Sequence, residues 1–244
     1  ATAPTGGPMT YVAAREQLEK ATTGNRFAGT EYDWLKSVEA LQVVVEALAL
    51  GPIAPAVLSQ LVNGLCTVLG DQRVKLLEAT LDALRAILEQ GESKQLLCAD
   101  ALLKSLFGAL RTLKNLKLNG LHAQAVELLS DIALQGPRPV AKVAIEMALH
   151  PHPYTRVDAA NVLACLVSSG GACTGALLTG CSELLGAKEK EVKYAADSLL
   201  ASLRNAELSR GMAATVTSMY NQLSVTRKAD IDEYTQELAE SGQD

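Results

Sequence analysis

Apolar residues recur three and four positions apart along most of this chain, with polar residues between them. This spacing places the apolar residues on one face of an α-helix, in segments where Leu, Ala, Glu and Lys dominate. No segment alternates convincingly as a half-buried strand would. The pattern therefore predicts an all-α protein. Two of the clearest series are Val74, Leu77, Leu81, Leu84 and Leu88, and Val192, Ala195, Leu199 and Leu203.

Glycine and proline interrupt this pattern at short, regular intervals. Glycine supplies the backbone conformation that ends a helix, and proline cannot continue one. The interruptions divide the chain into helices of roughly 12 to 18 residues. They lie at Gly51-Pro52 and Pro55, Gly70-Asp71, Gly91, Asn119-Gly120, Gly136-Pro137 and Pro139, His150-Pro151-His152-Pro153, Gly170-Gly171, and Gly186.

The helices come in pairs that repeat. The segments 71–84, 154–166 and 189–203 each begin with a polar turn, followed by Val with Lys or Asp, a pair of Ala or Leu residues, and leucines one helical turn apart. Trp34–Leu41 opens an earlier helix in a similar way, 40 residues before Val74. A further unit fits between Val74 and Val157, with its second helix starting near Asn119. A helix pair repeating about every 40 residues is typical of HEAT and armadillo solenoids.

The repeat predicts an α-solenoid of about six HEAT-like helical pairs. Each pair buries its apolar face only against its neighbours, so we expect one domain over 9–240, with tails at 1–8 and 241–244. The last pair is more polar, as a capping repeat should be. The expected pairs span about 9–48, 53–90, 93–135, 138–168, 171–204 and 207–240.

Composition narrows the classes of function. The chain is 48% hydrophobic and 20% charged, which is enough apolar content for a packed core. No uninterrupted apolar run reaches about 18 residues, so no transmembrane helix is expected. The net charge of −5 argues against a general nucleic-acid binder. The first eight residues lack the basic and apolar regions of a signal peptide.

Candidate catalytic and metal-binding residues are few. The five cysteines include no C-x-x-C motif and indicate reduced thiols of an intracellular protein; Cys66, Cys98 and Cys165 fall in apolar helical runs. His150 and His152 alternate with prolines, but no further ligands stand nearby. The stretch Gly180–Glu183 lies on an apolar helical face, so packing explains it best. No known catalytic motif is present, and we expect neither an enzyme nor a cofactor.

The turns within pairs carry a net positive charge, although the chain as a whole is negative. Taken as 33–36, 70–75, 113–119, 150–158 and 187–193, they hold nine basic and five acidic residues, a net +4 in a chain of −5. The turns between pairs sum to about +1. A row of turns with a net positive charge attracts and steers an acidic partner. The basic residues are Lys36, Arg73, Lys75, Lys114, Lys117, Arg156, Lys188, Lys190 and Lys193.

Trp34, the only tryptophan of the chain, stands in the first of these turns. An exposed tryptophan beside cations is a common anchor of protein interfaces. Alternatively, Trp34 packs on Tyr32 or under the 21–33 connection as a structural staple. The sequence leaves both open.

The segment Asp33–Leu41, which opens the second helix of the first pair, resembles the first intra-repeat loop of a TOG domain. TOG domains are tubulin-binding modules of six HEAT repeats in CLASP proteins, in microtubule polymerases of the tumour-overexpressed-gene family and in ciliary relatives. Glu189–Leu200 resembles the family's fifth repeat, with Val, a basic residue and paired alanines. Leu35 and Ser37 stand where the family's first loop usually carries basic residues, and Gln72-Arg73 replaces its usual Asn.

The resemblance implies a partner and roles for the turn residues. Trp34 would anchor the domain on β-tubulin, with support from Arg73, and Arg156, Lys188 and Lys193 would face α-tubulin. The implied protein binds the tubulin dimer or the microtubule lattice and regulates microtubule dynamics. It would be a monomeric domain of a larger cytoplasmic protein on microtubules, with the cilium and the centrosome as further locations. The alternative is a HEAT or armadillo scaffold that holds a protein or peptide on its concave face, with Trp34 buried.

Overall fold

The computed structural model of the chain describes residues 31–50, 55–90, 94–170 and 174–241. Within these ranges it has twelve α-helices and no β-strand, so the predicted all-α class is confirmed. The helices are α1 (Glu31–Leu50), α2 (Pro55–Val68), α3 (Val74–Glu89), α4 (Lys94–Leu97), α5 (Asp100–Asn115), α6 (Asn119–Gln135), α7 (Pro137–Ala148), α8 (Pro153–Ser168), α9 (Gly175–Leu185), α10 (Lys190–Asn205), α11 (Arg210–Asn221) and α12 (Val225–Ser241).

The helices follow the predicted pairing. The second to sixth pairs are α2 with α3, α5 with α6, α7 with α8, α9 with α10, and α11 with α12, and α1 is the second helix of the first pair. The first half of that pair lies outside the described residues. The short helix α4 was not predicted. The α-solenoid of about six HEAT-like pairs is thus confirmed.

The chain divides into two compact units. Unit 1 comprises the described residues up to Leu113 together with Leu118–Leu128, and unit 2 comprises Lys114–Lys117 and the described residues from Leu129 onward. In unit 1, α1 packs on α3, and α2 packs on α3 and α4. The single domain over 9–240 stays a prediction.

Helix α3 supplies much of the core of unit 1. Leu77, Leu81 and Leu84 are buried, as their spacing predicts, and Leu88 is half-buried. Val74 is exposed, so its predicted place on the buried face is wrong. Val74 is the first residue of α3.

Unit 2 consists of two layers. The first helices α7, α9 and α11 pack against one another in order, and the second helices α8, α10 and α12 do the same. Helix α10 buries the predicted series Val192, Ala195, Leu199 and Leu203. Helices α8 and α10 lie side by side with their ends aligned. Arg156 contacts Glu189 near the N-termini of the two helices, and Ser168 contacts Ser202 near their C-termini.

The last pair is held to its neighbour by an ion pair. Its buried apolar residues are few: Val216, Met219 and Ile231. Arg227 of α12 donates from Nε and Nη2 to the carboxylate of Asp197 on α10, and from Nη1 to the carbonyl of Leu185 at 3.1 Å. The guanidinium therefore joins three helices where apolar contact is sparse.

The second helix of the third pair begins at Asn119, as predicted. Asn119 and Gly120 are therefore the first residues of α6 and not the break itself. The break lies at 116–118, where Lys117 adopts a left-handed conformation with φ 58°. The Leu118 amide donates to the Leu113 carbonyl at 3.0 Å and the Lys117 amide to Lys114 at 3.1 Å. These bonds form a Schellman motif, in which glycine is the usual left-handed residue.

The described cysteines are free thiols: Cys66, Cys98, Cys165 and Cys181. Cys98 does not lie in a helical run as predicted, because α4 ends at Leu97 and Cys98 belongs to the following turn. In the stretch Gly180–Glu183, Gly180 and Cys181 are buried on α9, whereas Ser182 and Glu183 are exposed. Cys173 lies outside the described residues.

In the part of the chain that is described, no helix has the length and apolarity needed to cross a membrane.

Gly108 provides a test of the helix assignment. It lies inside α5, and a Cβ built there meets no atom within 4 Å. Since glycine destabilises a helix interior relative to alanine, Gly108→Ala should raise the free energy of unfolding by about 0.5–1 kcal/mol, measured by urea denaturation. Gly170→Ala is the matched control, because that position is equally open but has φ +73°. It should destabilise the protein, and a gain there would contradict the backbone conformation.

Candidate functional site

Trp34 and Arg73 come together in unit 1. Trp34 is the fourth residue of α1 and is partly exposed. Arg73 directly precedes α3, and its guanidinium carbon lies 5.7 Å from the centroid of the Trp34 ring. This distance is typical of a cation–π contact. The first and second within-pair turns therefore form one surface.

Asp71 fixes the position of Arg73. The backbone amide of Arg73 donates to Asp71 Oδ1 at 2.8 Å, and its Nη1 donates to Oδ2 at 2.9 Å. The Arg73 side chain nevertheless keeps 40% of its surface exposed. A short turn thus holds a cation beside the indole and leaves both accessible to a partner.

The remaining candidates in these two turns are lysines with exposed apolar neighbours. Lys75, the second residue of α3, is exposed, and Lys36 on α1 is half-buried. Leu35 and Val74 next to them are exposed large apolar side chains. This surface therefore combines positive charge with apolar area, which the charge count alone did not predict.

The third turn presents two lysines on a fixed backbone. Lys114 and Lys117 are both exposed. Exposed Leu116 lies between them. The Schellman hydrogen bonds described above determine the direction in which this turn leaves α5.

In unit 2, the fourth and fifth turns are joined by an ion pair. Arg156 Nη1 lies 3.4 Å from Glu189 Oε2, and the Arg156 side chain is only 17% exposed. The charge of Arg156 is therefore engaged by the protein itself. Lys188 and Lys190, on either side of Glu189, are exposed, and Lys193 is half-buried.

The fifth turn also carries an aromatic ring that the sequence prediction missed. Tyr194 is 47% exposed, and the Lys190 ammonium lies 5.3 Å from its ring centroid. Tyr154, the second residue of α8, is exposed as well. The signal was present in the sequence, because Lys190 and Tyr194 are four residues apart and so share a helix face.

The histidines of the fourth turn and the buried Cys181 have structural surroundings. No cluster of three or more His, Cys, Asp or Glu residues could hold a metal ion in this part of the chain. His150 Nδ1 accepts a hydrogen bond from the His152 amide at 3.1 Å, so this ring shapes the fourth turn. Burial raises the pKa of the Cys181 thiol to about 12, which keeps it protonated.

A groove of about 830 Å³ lies between α1 and α3 in unit 1. Apolar residues such as Val38, Val45 and Ala79 line it. Four carboxylates and two cations surround them, and one of the cations, Arg85, also contacts Glu127 at 3.5 Å. The groove is therefore acidic, unlike the adjacent turns. Its charged residues are Glu46, Glu78, Asp82, Glu89, Lys75 and Arg85.

These features describe a helical-repeat protein whose turns offer cations beside exposed rings. No family model and no curated protein sequence matches the chain. Among solved structures, a TOG domain of C. elegans Zyg9 is 14% identical, with a TM-score of 0.66 over 98% of this chain and 90% of that one. A structure concerned with how TOG–tubulin binding specificity promotes microtubule dynamics and mitotic spindle formation is 16% identical, with a TM-score of 0.63 over 96% and 90%.

A structure of crescerin, which uses a TOG domain array to regulate microtubules in the primary cilium, is similar as well. It is 15% identical, with a TM-score of 0.61 over 91% of this chain and 88% of that one. The similarity spans most of the chain in each of these three structures. The chain has the fold of a TOG domain.

Proposed function

We propose that this chain is a non-enzymatic tubulin-binding domain that contacts the tubulin dimer or the microtubule lattice through its within-pair turns. The observation that carries the proposal is the contact between Trp34 and Arg73, held by Asp71, on a chain with the TOG fold. A partly exposed tryptophan beside a fixed cation is the type of group that dominates protein interfaces. The positive charge of the within-pair turns would attract tubulin, an acidic partner.

The within-pair turns of unit 2 would supply further contacts to tubulin. Lys188, Lys190 and Lys193 supply accessible charge, and Lys114 and Lys117 add to it. Arg156 acts in a different way, because its contact with Glu189 positions the fifth turn relative to α8. We therefore assign Arg156 mainly to positioning and the lysines to direct contact.

The proposed mechanism is differential affinity. A domain changes the equilibrium between two forms of its partner only if it binds one of them more tightly. A chain that fits one curvature of the tubulin dimer better would thus bias microtubule assembly. Several such domains on one larger cytoplasmic protein would raise the local concentration of tubulin.

Reversing two lysine charges tests the electrostatic part of the proposal. Lys188→Glu with Lys193→Glu should weaken tubulin binding about tenfold at about 50 mM salt and less at about 300 mM, because salt screens exposed charges. Arg138→Glu with Arg210→Glu is the matched control. This control changes the net charge by the same amount. Arg138 and Arg210 also stand at the starts of helices, but they belong to turns between pairs. Equal losses in both variants would contradict a role for the within-pair turns.

A second candidate function rests on the groove between α1 and α3. Its apolar lining and excess of carboxylates would suit a basic peptide, as in a scaffold. The two functions respond differently to substitution. Glu78→Lys with Asp82→Lys should abolish peptide capture and leave tubulin binding intact, whereas a change at Trp34 should have the opposite effect.

A further inference from the structure

Tyr194 and Lys190 form a second exposed ring–cation pair, in unit 2. Tyr194 is the fifth residue of α10, and Trp34 is the fourth residue of α1. Each ring stands in the first turns of a second helix and has a cation within 6 Å of its centroid. Both rings are thus placed where a within-pair turn enters its helix.

Packing inside the protein does not account for the exposure of Tyr194. The neighbouring residues Val192, Ala195 and Ala196 turn inward and are buried, while Lys190, Glu191 and Tyr194 turn outward. An outward ring on a helix that already buries a full apolar face adds nothing to the core. With 47% of its surface exposed, Tyr194 is accessible to a partner.

Contacts within the protein hold the turn before Tyr194 and restrict its ring. The Arg156–Glu189 ion pair holds the turn before α10 against α8. The ammonium of Lys190 restricts the ring by lying 5.3 Å from its centroid. A side chain that is already restricted loses less entropy when it is bound, which favours affinity.

We propose that Tyr194 is an aromatic anchor for tubulin in the fifth turn, with Lys190 beside it, and this inference rests on the proposed function. The ring would cover an apolar group of the partner, while Lys190 and Lys188 pair with acidic groups next to it. Binding through this turn then has a component that salt does not screen. The fifth turn would thus contact tubulin through an aromatic ring as well as through its charged side chains.

The test compares three variants of the chain in binding to unpolymerised tubulin. Tyr194→Ala should weaken binding about tenfold or more, and the loss should persist at about 300 mM salt because it is not electrostatic. Tyr194→Phe keeps the ring and should bind within about twofold of the unchanged chain. Tyr234→Ala is the matched control, since Tyr234 on α12 is 36% exposed and lies outside the within-pair turns. Circular dichroism checks that each variant is folded.

The outcomes separate this inference from the proposed function. If the unchanged chain binds tubulin and a folded Tyr194→Ala variant binds equally well, the inference is overturned and the proposed function stands. If Tyr194→Phe loses as much as Tyr194→Ala, the hydroxyl rather than the ring is responsible, and the anchor is again overturned. If the unchanged chain does not bind, the proposed function fails, and the inference fails with it.

Discussion

The Trp34→Glu variant should bind tubulin at least about 30-fold more weakly than the unchanged chain, a loss of about 2 kcal/mol or more. Two effects act in the same direction. The change removes the largest partly exposed ring of the first turn, and it places a carboxylate beside Arg73, which the indole now contacts at 5.7 Å. The new carboxylate would neutralise the cation that the proposed surface offers.

Three further variants separate the effect of the ring from the effect of the charge. Trp34→Phe keeps a ring and no new charge, so it should lose less than Trp34→Ala. Asp71→Ala removes the hydrogen bonds that hold Arg73 in place. Its affinity for tubulin should lie between those of the unchanged chain and Trp34→Glu. Isothermal titration with unpolymerised tubulin measures all of them. A Trp34→Glu variant that binds as tightly as the unchanged chain would show that Trp34 is a structural staple.

The Asp197→Ala variant should lose about 3 kcal/mol of unfolding free energy, because removing one partner of a buried ion pair leaves the other charge uncompensated. Asp197 is 2% exposed and accepts from two nitrogen atoms of Arg227, which is itself only 21% exposed. Without the carboxylate, Arg227 keeps one protein acceptor, the Leu185 carbonyl. Chemical denaturation followed by circular dichroism measures the loss.

The double variant Asp197→Leu with Arg227→Met should recover most of this stability. Burial raises the pKa of the Asp197 carboxyl above its usual value, and Arg227 only partly opposes that shift. Replacing a buried ion pair by apolar residues of similar volume removes the cost of desolvating both charges and is often neutral or stabilising. A double variant that is less stable than Asp197→Ala would contradict this account of the last repeat.

The periodicity of apolar residues predicted the helices because burial determines which face of each helix packs. The series on α10 illustrates this, since each of its predicted apolar positions is buried. The ends of helices were harder to predict. Lys117 adopts the left-handed conformation in place of glycine, because the hydrogen bonds to Leu113 and Lys114 compensate for the conformational strain.

Partners distant in the sequence could not be predicted. Arg156 and Glu189 are 33 residues apart, and Asp197 and Arg227 are 30 apart. Charge counting therefore treated Arg156 as one more accessible cation, although the packing of α8 beside α10 engages its charge. The contact between Trp34 and Arg73 likewise depends on how α1 packs on α3. The residue types of the candidate site could be read from the sequence, but the packing of the second helices determined which of them meet.

The most direct test of the central claim is size-exclusion chromatography of the chain with unpolymerised tubulin at low salt, beside the Trp34→Glu variant. We expect the unchanged chain to co-elute with tubulin and the variant to elute alone, with both folded by circular dichroism. Co-elution of both would contradict the role of the first within-pair turn. If neither co-elutes with tubulin or pellets with stabilised microtubules, the chain is not a tubulin-binding domain.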